Sequence, residues 1–293
     1  MLVQMPQGDE RYVYGLRIRG LGGVTELRSQ PAAGWSAAGE MTVTIRQVDA
    51  SAPPPLALDD SRCVRVLADG RHLALDRRQG TATFFGEALT EDLLAHPYLG
   101  PVATTFNRWA GREAFHGGAF VKADRAWAVL GPRTAGKSSL LAALARQNVP
   151  ILSDDIVVAD RSGAFAGPRC VDLRHPLPGL ALDTRSVRAN TRLRMMLPPI
   201  RRRMPLGGWL FLHWGDELTM TSVGSPELLS RLAKRRSWPQ LPSDPATTLA
   251  LATLPAWDLV RPRDWTALDP TCRLLDLVLR SVPAAAPVSA TRA

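Results

Sequence analysis

Short apolar runs with alternating or β-branched residues punctuate the first hundred positions, and turn formers separate them. Tyr12–Ile18 and Met41–Val48 read as strands. Cys63–Leu67 and His72–Asp76 flank Ala68-Asp69-Gly70-Arg71, the pattern of a hairpin with an Asp-Gly turn. Thr81–Phe85 is a further strand, Pro31–Ala38 and Ser51–Pro55 read as loops, and Pro101–Trp109 as a helix. Residues 1–100 are therefore expected to form a small β-rich subdomain.

Beyond residue 112 strands and helices alternate. Ala119–Val121 and Ala126–Leu130 suggest two strands joined by a tight turn, and Ser138–Gln147 is a run of helix formers stopped by Asn148-Val149-Pro150. Ile151-Leu152 opens a strand that is interrupted at Ser153-Asp154-Asp155 and resumes at Ile156–Val158. Later come a strand at Trp209–Leu212, a helix at Pro226–Lys234, a strand at Thr248–Leu254 and a helix at Thr271–Arg280. Residues 282–293 are mostly small residues and proline with a single arginine, the composition of a disordered tail. The fold class expected is α/β, with residues 101–281 forming a mostly β core flanked by helices.

Composition narrows the function classes. With 45% apolar and 22% charged residues in 293, the chain has the make-up of an ordinary globular protein. No apolar run approaches a membrane span, and Met1–Glu10 lacks the basic-then-apolar pattern of a secretion signal. Cys63, Cys170 and Cys272 are widely spaced and odd in number, which points to reduced thiols in a cytoplasm rather than to disulfides or zinc. The net charge of +9 comes from arginine, since Lys122, Lys137 and Lys234 are the only lysines. An Arg- and Ala-rich chain also follows from a GC-rich gene, so neither nucleic acid nor a membrane is expected as a partner. The clusters Arg188–Arg203 and Lys234–Arg236 are patches that can meet phosphate, an acidic peptide or RNA, or simply face solvent.

The chemistry is concentrated in Gly131-Pro132-Arg133-Thr134-Ala135-Gly136-Lys137-Ser138, a complete G-x-x-x-x-G-K-S loop between a strand and a helix. Its glycines let successive N–H groups turn inward, and with the helix N-terminus they form an anion site for nucleotide phosphates. The nucleotide-binding set runs from Gly131 to Ser139, with Lys137 on the β- and γ-phosphates and Ser138 on Mg²⁺. Arg133 either adds a phosphate contact or points outward. One helix and a turn later, Asp154-Asp155 falls where the next strand returns beside the phosphates. Two carboxylates there can divide two tasks, one holding Mg²⁺ and one accepting the proton of an attacking hydroxyl. Neighbours on a regular strand point to opposite faces, so both can act only if the strand is irregular.

His116-Gly117-Gly118 before a strand pair, then the Gly-Lys-Ser loop, then Leu152-x-Asp154-Asp155, keeps an order and spacing that resembles the HPr kinase/phosphorylase family. The resemblance covers about His116 to Arg174. It implies an HPr-kinase-like phosphate-loop core, a serine kinase using ATP and Mg²⁺, and possible homo-oligomers. By this resemblance His116 corresponds to the active-site histidine and Lys137 to the loop lysine. Ser138 and Asp154 fall at the metal, and Asp155 is the proton acceptor. Residues 153–174 look closer still to HPr-kinase-like proteins of peptide natural-product gene clusters, some of which phosphorylate a serine of a lasso-peptide precursor. One departure stands out. Where the family has a glycine-rich signature with a glutamate, this chain has Arg174-His175-Pro176-Leu177-Pro178-Gly179. A kinase without phosphorylase activity is therefore expected, acting on a peptide or protein other than HPr.

A phosphoryl-transfer site also wants a cation beyond Lys137 and Mg²⁺. Arg192 and Arg194 alternate in Thr-Arg-Leu-Arg-Met and are the candidates, either for that role or for an acidic substrate. His175, His213, Trp209, Trp214 and Trp238 are expected to support the fold. A sugar or alcohol kinase and a nucleotide-sensing module with little catalysis are the rival readings. No Leu-Ser-Gly-Gly or Asn-Lys-x-Asp motif points to a transporter ATPase or a GTPase.

Overall fold

A computed structural model describes residues 10–27, 40–49 and 54–282. The expected loop Pro31–Ala38, most of Ser51–Pro55 and all but the first residue of the tail 282–293 lie outside the described residues. The architecture is mixed α/β, with large sheets flanked by helices.

The amino-terminal strands are β1 (Arg11–Val13), β2 (Leu16–Arg19), β3 (Met41–Val48), β4 (Ala57–Leu58), β5 (Arg62–Val66), β6 (His72–Asp76) and β7 (Thr81–Phe85). They form one seven-stranded sheet in the order β1-β2-β3-β7-β6-β5-β4. The run Tyr12–Ile18, expected as one strand, is folded into a hairpin. Tyr14 and Gly15 both have positive φ, 54° and 74°, and pair Val13 with Leu16. Such a two-residue turn matches strand twist, and alternation alone does not reveal it. The β5–β6 hairpin turns at Gly70 as expected.

The short helix α1 (Glu91–Leu93) and α2 (Leu99–Trp109) then cover this sheet. Val102, Ala103 and Phe106 share one buried core with Leu16, Ile18, Val43, Ile45 and Phe84, and also with Ile156, Val158 and Phe165. The amino-terminal sheet is thereby packed into the side of the next one.

That next sheet uses β8 (Glu113–Lys122), β9 (Arg125–Leu130), β10 (Ile151–Ser153), β11 (Ile156–Asp160) and β12 (Gly163–Phe165), with α3 (Lys137–Arg146) between β9 and β10. After β13 (Cys170–Leu173), β14 (Thr184–Val187) and β15 (Arg192–Met196), it is completed by β16 (Arg203–Met204), β17 (Leu206–Trp214), β18 (Thr219–Ser222) and β19 (Ala256–Arg261). The order is β16-β12-β11-β8-β9-β17-β19-β18, with β10 also paired to β8; β13-β15-β14 form a separate three-stranded sheet. Helices α4 (Ser225–Arg235), α5 (Pro245–Leu251) and α6 (Leu268–Ser281) complete the chain. Leu140, Leu141 and Leu144 of α3 pack with Leu275 and Leu279 of α6 on one face, and Leu228 and Leu232 of α4 pack with Leu251 of α5 against Trp209 on the other. Among the described residues no helix is long and apolar enough to cross a membrane.

The expected strand Thr248–Leu254 is helical instead. Asp244 caps α5 by accepting from the Ala246 N–H at 3.0 Å, Pro245 occupies the first turn, and Thr248 Oγ1 donates to the Asp244 carbonyl. Cap and proline outweigh the β-branched threonines. The strand lies just beyond, at β19.

Candidate functional site

Strand β9 ends at Leu130 and delivers the glycine loop, which closes at Gly136, the cap of α3. Gly136 has φ +77°, and a Cβ there would lie 2.3 Å from Arg261 Nη2. Side chain and conformation both exclude other residues. The first-turn N–H groups of α3 have no carbonyl within the helix, so they are donors for an anion held by the loop. Lys137 is buried, and its Nζ donates to the Gly131 and Pro132 carbonyls at 3.0 Å each. Burial lowers its pKa, and the charges of Asp154 and Asp155 oppose that shift. Ser139 follows in the first turn of α3, while Pro132, Arg133 and Thr134 are exposed and Ala135 is buried beneath the loop.

The loop is braced from the far side by residues whose part the sequence did not disclose. Arg261, 2% exposed at the end of β19, donates from Nη2 to the Ala135 and Gly136 carbonyls at 3.1 Å each. Its guanidinium lies 4.4 Å from the Trp214 ring centroid, and Trp214 Nε1 donates to the Thr134 carbonyl at 3.2 Å. Trp214 is thus a contact of the loop itself. No motif marks either residue; only the parallel pairing of β17 with β9 and β19 brings them there.

The two aspartates sit in a break between β10 and β11. Asp155 has φ +70°, the Ile156 N–H donates to the Asp154 carbonyl at 2.9 Å, and the Gly117 N–H donates to the Asp155 carbonyl at 3.0 Å. Tyr14, reaching in from the β1–β2 turn, donates its hydroxyl to the Asp154 carbonyl at 3.3 Å. The left-handed residue suspends the alternation of a strand. Asp154 Oδ1 therefore accepts from Ser138 Oγ at 3.0 Å, while Asp155 Oδ1 lies 3.5 Å from His116 Nδ1. His116 itself stands on β8 beside two glycines. A Cβ on Gly118 would come 2.4 Å from Leu141 Cδ1, so the bare backbone is what lets α3 lie against β8.

The electrostatics of the pair are uneven. Asp154 is 4% exposed, and its carboxyl pKa rises to about 7, first through burial and then through the neighbouring charge of Asp155. His116 is drawn below its usual value by burial of part of its ring; Asp155 acts in the opposite direction. Arg235, at the end of α4, is close enough that its charge lowers the pKa of both His116 and Lys137. It is carried there because the chain after α4 pairs with the first half of β8, which β9, paired only from Gly117 to Lys122, does not reach. Arg236 bridges Phe115, and the Ser237 N–H donates to the Ala114 carbonyl at 2.7 Å. Arg235 has no ion pair among the described residues.

The expectation that Arg192 and Arg194 act together needs correction. Arg194 is fully buried, and its guanidinium is spent. It bonds both oxygens of Asp172 at 2.7 and 3.0 Å, Glu26 at 2.8 Å, and the carbonyls of Asp92 and His96. It ties β15 to α1 and to the amino-terminal sheet, with no donor left for phosphate. Arg192 remains half-exposed at the start of β15.

A divalent cation fits the residues present. Asp154 is a buried carboxylate that accepts from the Ser138 hydroxyl and, among the described residues, has no cation at ion-pair distance, Lys137 acting on it only from farther off. That is the setting in which a bound metal restores ionisation, and Ser138 supplies a second hard oxygen beside it.

No family model and no curated protein matches this chain. Among solved structures it is similar to the Hpr(Ser) kinase/phosphatase from Coxiella burnetii. The identity is 9% and the TM-score 0.30, over 57% of this chain and 97% of that one. At that level of likeness, any functional reading rests on the site's own geometry.

Proposed function

We propose that the chain is an ATP- and Mg²⁺-dependent phosphotransferase, built on a phosphate-loop core, that passes a γ-phosphoryl group to a hydroxyl. The acceptor class is a serine or threonine of a peptide or protein, and the lasso-peptide precursors named by the sequence resemblance fall within it. A cytoplasmic location belongs to the same reading. The observation that carries it is the break at Asp155, which turns one carboxylate to Ser138 and the next to His116 beside a single glycine loop.

The loop amides from Gly131 to Ser139 and the Lys137 ammonium would hold the phosphates. Ser138 and Asp154 would hold Mg²⁺, which when bound offsets phosphate charge. Asp155 accepts the proton of the incoming hydroxyl, and His116 fixes the rotamer of that carboxylate through Nδ1. Arg235, whose charge reaches both His116 and Lys137, would add positive charge for the transferring oxygens.

The test is transfer of label from γ-labelled ATP to a serine/threonine peptide mixture, read beside binding of a fluorescent ATP analogue. Asp155→Asn is expected to cut transfer by about 10²–10⁴-fold, the usual contribution of a general base, while keeping nucleotide affinity. Lys137→Ala is expected to lose both. Transfer by Asp155→Asn at the native rate would refute the role given to that carboxylate.

A further inference from the structure

The three-stranded sheet β13-β15-β14 stands beside the glycine loop, and its near end is crowded with arginine. Register places Leu173 opposite Leu193 and Val187 opposite Arg192. Arg174, the next residue after β13, therefore comes level with Arg192, and Arg188 follows directly from β14. Arg133 of the loop is near enough to act on the same group: after burial, the charges of Arg174, Arg188 and Arg133 lower the pKa of Arg192, and Asp172 opposes them. Four cations from three separate segments thus share one small area. Only Arg188 has a carboxylate, Asp172, at 2.8 Å, and Arg194 already takes both oxygens of that group. Arg133, Arg174 and Arg192 have no carboxylate partner among the described residues. Arg133 and Arg174 are exposed, and Arg188 and Arg192 are half-exposed.

Asp172 is a single carboxylate already held by Arg194, and holding like charges together with so little counter-charge is unfavourable. The phosphates already have their own donors in the loop amides and Lys137. The cluster is tied to the site through β13, whose Val171 and Leu173 share one buried core with Ala135 of the loop and Leu140 of α3. Its width, spread over the glycine loop, β13 and the β14–β15 turn, suits several separated carboxylates better than one compact anion.

We propose that Arg174, Arg188 and Arg192, with Arg133 at the loop, form the docking site for an acidic peptide segment flanking the acceptor hydroxyl. The chain is then selective for serine or threonine set among aspartates and glutamates. The inference rests on reading the site as a phosphotransferase, but peptide docking can be measured without turnover.

The experiment uses the full chain and a fluorescein-labelled peptide, a serine flanked on each side by three glutamates, with binding read by anisotropy at low ionic strength. A glutamine-flanked version is the neutral control. Arg174→Gln/Arg192→Gln is expected to weaken the acidic peptide by about tenfold, as loss of two charge-assisted contacts implies. Arg77→Gln/Arg78→Gln, which removes equal charge from the exposed β6–β7 turn, is expected to leave it unchanged. Binding of a fluorescent ATP analogue should be the same in all three proteins, which establishes that they are folded; if the double variant does not fold, the exposed single change Arg174→Gln carries the comparison, with a several-fold loss expected.

Equal peptide affinity in the wild type and the site variant overturns the docking site, as does an equal loss in the β6–β7 control. Displacement of the peptide by ATP also overturns it, since the arginines then belong to the nucleotide. The two readings separate cleanly. Transfer to acidic and neutral peptides alike leaves the phosphotransferase standing and removes the docking site. Arginine-dependent peptide binding with no transfer to any acceptor does the reverse.

Discussion

Asp154→Asn should make the metal-free protein more stable at pH values above about 4, with the full gain above about 7. In the unfolded chain this carboxyl ionises near 3.8, and in the folded chain at about 7. The difference corresponds to about 4 kcal/mol by linkage, with burial as the first cause and the Asp155 charge as the second. The sign follows from which state holds the proton. Below about pH 4 the group is protonated in both states and no penalty exists. Between about pH 4 and 7 the unfolded chain has released its proton while the native one retains it, so the native state loses stability as pH rises; above about 7 the penalty is full. Asparagine has the same shape, is neutral throughout, and can still accept from Ser138 Oγ through Oδ1.

Thermal unfolding with EDTA at pH 8.5 should therefore place the variant above the wild type by about 2–4 kcal/mol, or about 5–10 °C in Tm for a chain of this size. At pH 4 the two should coincide. Adding Mg²⁺ at pH 8.5 should raise the wild type toward the variant and leave the variant where it was, because the metal offsets the charge that asparagine lacks. A variant less stable than the wild type at pH 8.5, or an equal difference at both pH values, would refute the account of Asp154 as a buried carboxylate with no cation at ion-pair distance.

Other consequences are simpler to state. Arg261→Met removes two hydrogen bonds to the Ala135 and Gly136 carbonyls; ATP-analogue affinity should fall by about tenfold in fluorescence titration, from two bonds of about 1 kcal/mol each partly recovered by packing, and unchanged affinity would show that the brace is dispensable. Gly136→Ala sets a Cβ against Arg261 at φ +77°, so calorimetry should show a loss of stability of about 1–3 kcal/mol together with weaker nucleotide binding; a neutral result would mean that the loop relaxes freely. The His116 ring should titrate below pH 6.5 by NMR, and lower still in Asp155→Asn, because the Asp155 charge is the influence that raises it; a higher value in that variant would break the His116–Asp155 pairing.

Much of the central architecture was legible because its signals are local. The glycine loop with its flanking strand and helix, the Asp-Gly hairpin and the terminal helix each depend on residues a few positions apart. So does the interruption at Ser153-Asp154-Asp155, where two consecutive aspartates disrupt an apolar run. What escaped was carried by pairing between distant segments. Thr248 looks like a strand residue until Asp244 and Pro245 are given their due as a helix start. Tyr12–Ile18 alternates like a strand, yet it turns back on itself and sends Tyr14 into the backbone of Asp154. Arg194 and Arg192 are two residues apart on one strand, but one faces Asp172 and Glu26 in the interior and the other borders solvent. No pattern of charge along the chain distinguishes them.

The same contrast explains why the site is assembled as it is. A phosphate loop supplies donors from its own backbone, so a few glycines and a helix start suffice, and sequence displays them. A carboxylate pair that must face one way cannot come from an undisturbed strand. Here three contacts from outside the segment hold the disturbance in place: the Gly117 N–H on the Asp155 carbonyl, the Tyr14 hydroxyl on the Asp154 carbonyl, and Ser138 on the Asp154 side chain. A left-handed aspartate costs on the order of 1 kcal/mol or more by itself, which surrounding bonds have to offset. Tyr14 comes from the amino-terminal sheet, so that sheet buttresses the carboxylate turn between β10 and β11. Its place in the protein is then more than an appended layer: without it, the turn that directs Asp154 to Ser138 and Asp155 to His116 loses one of its three supports.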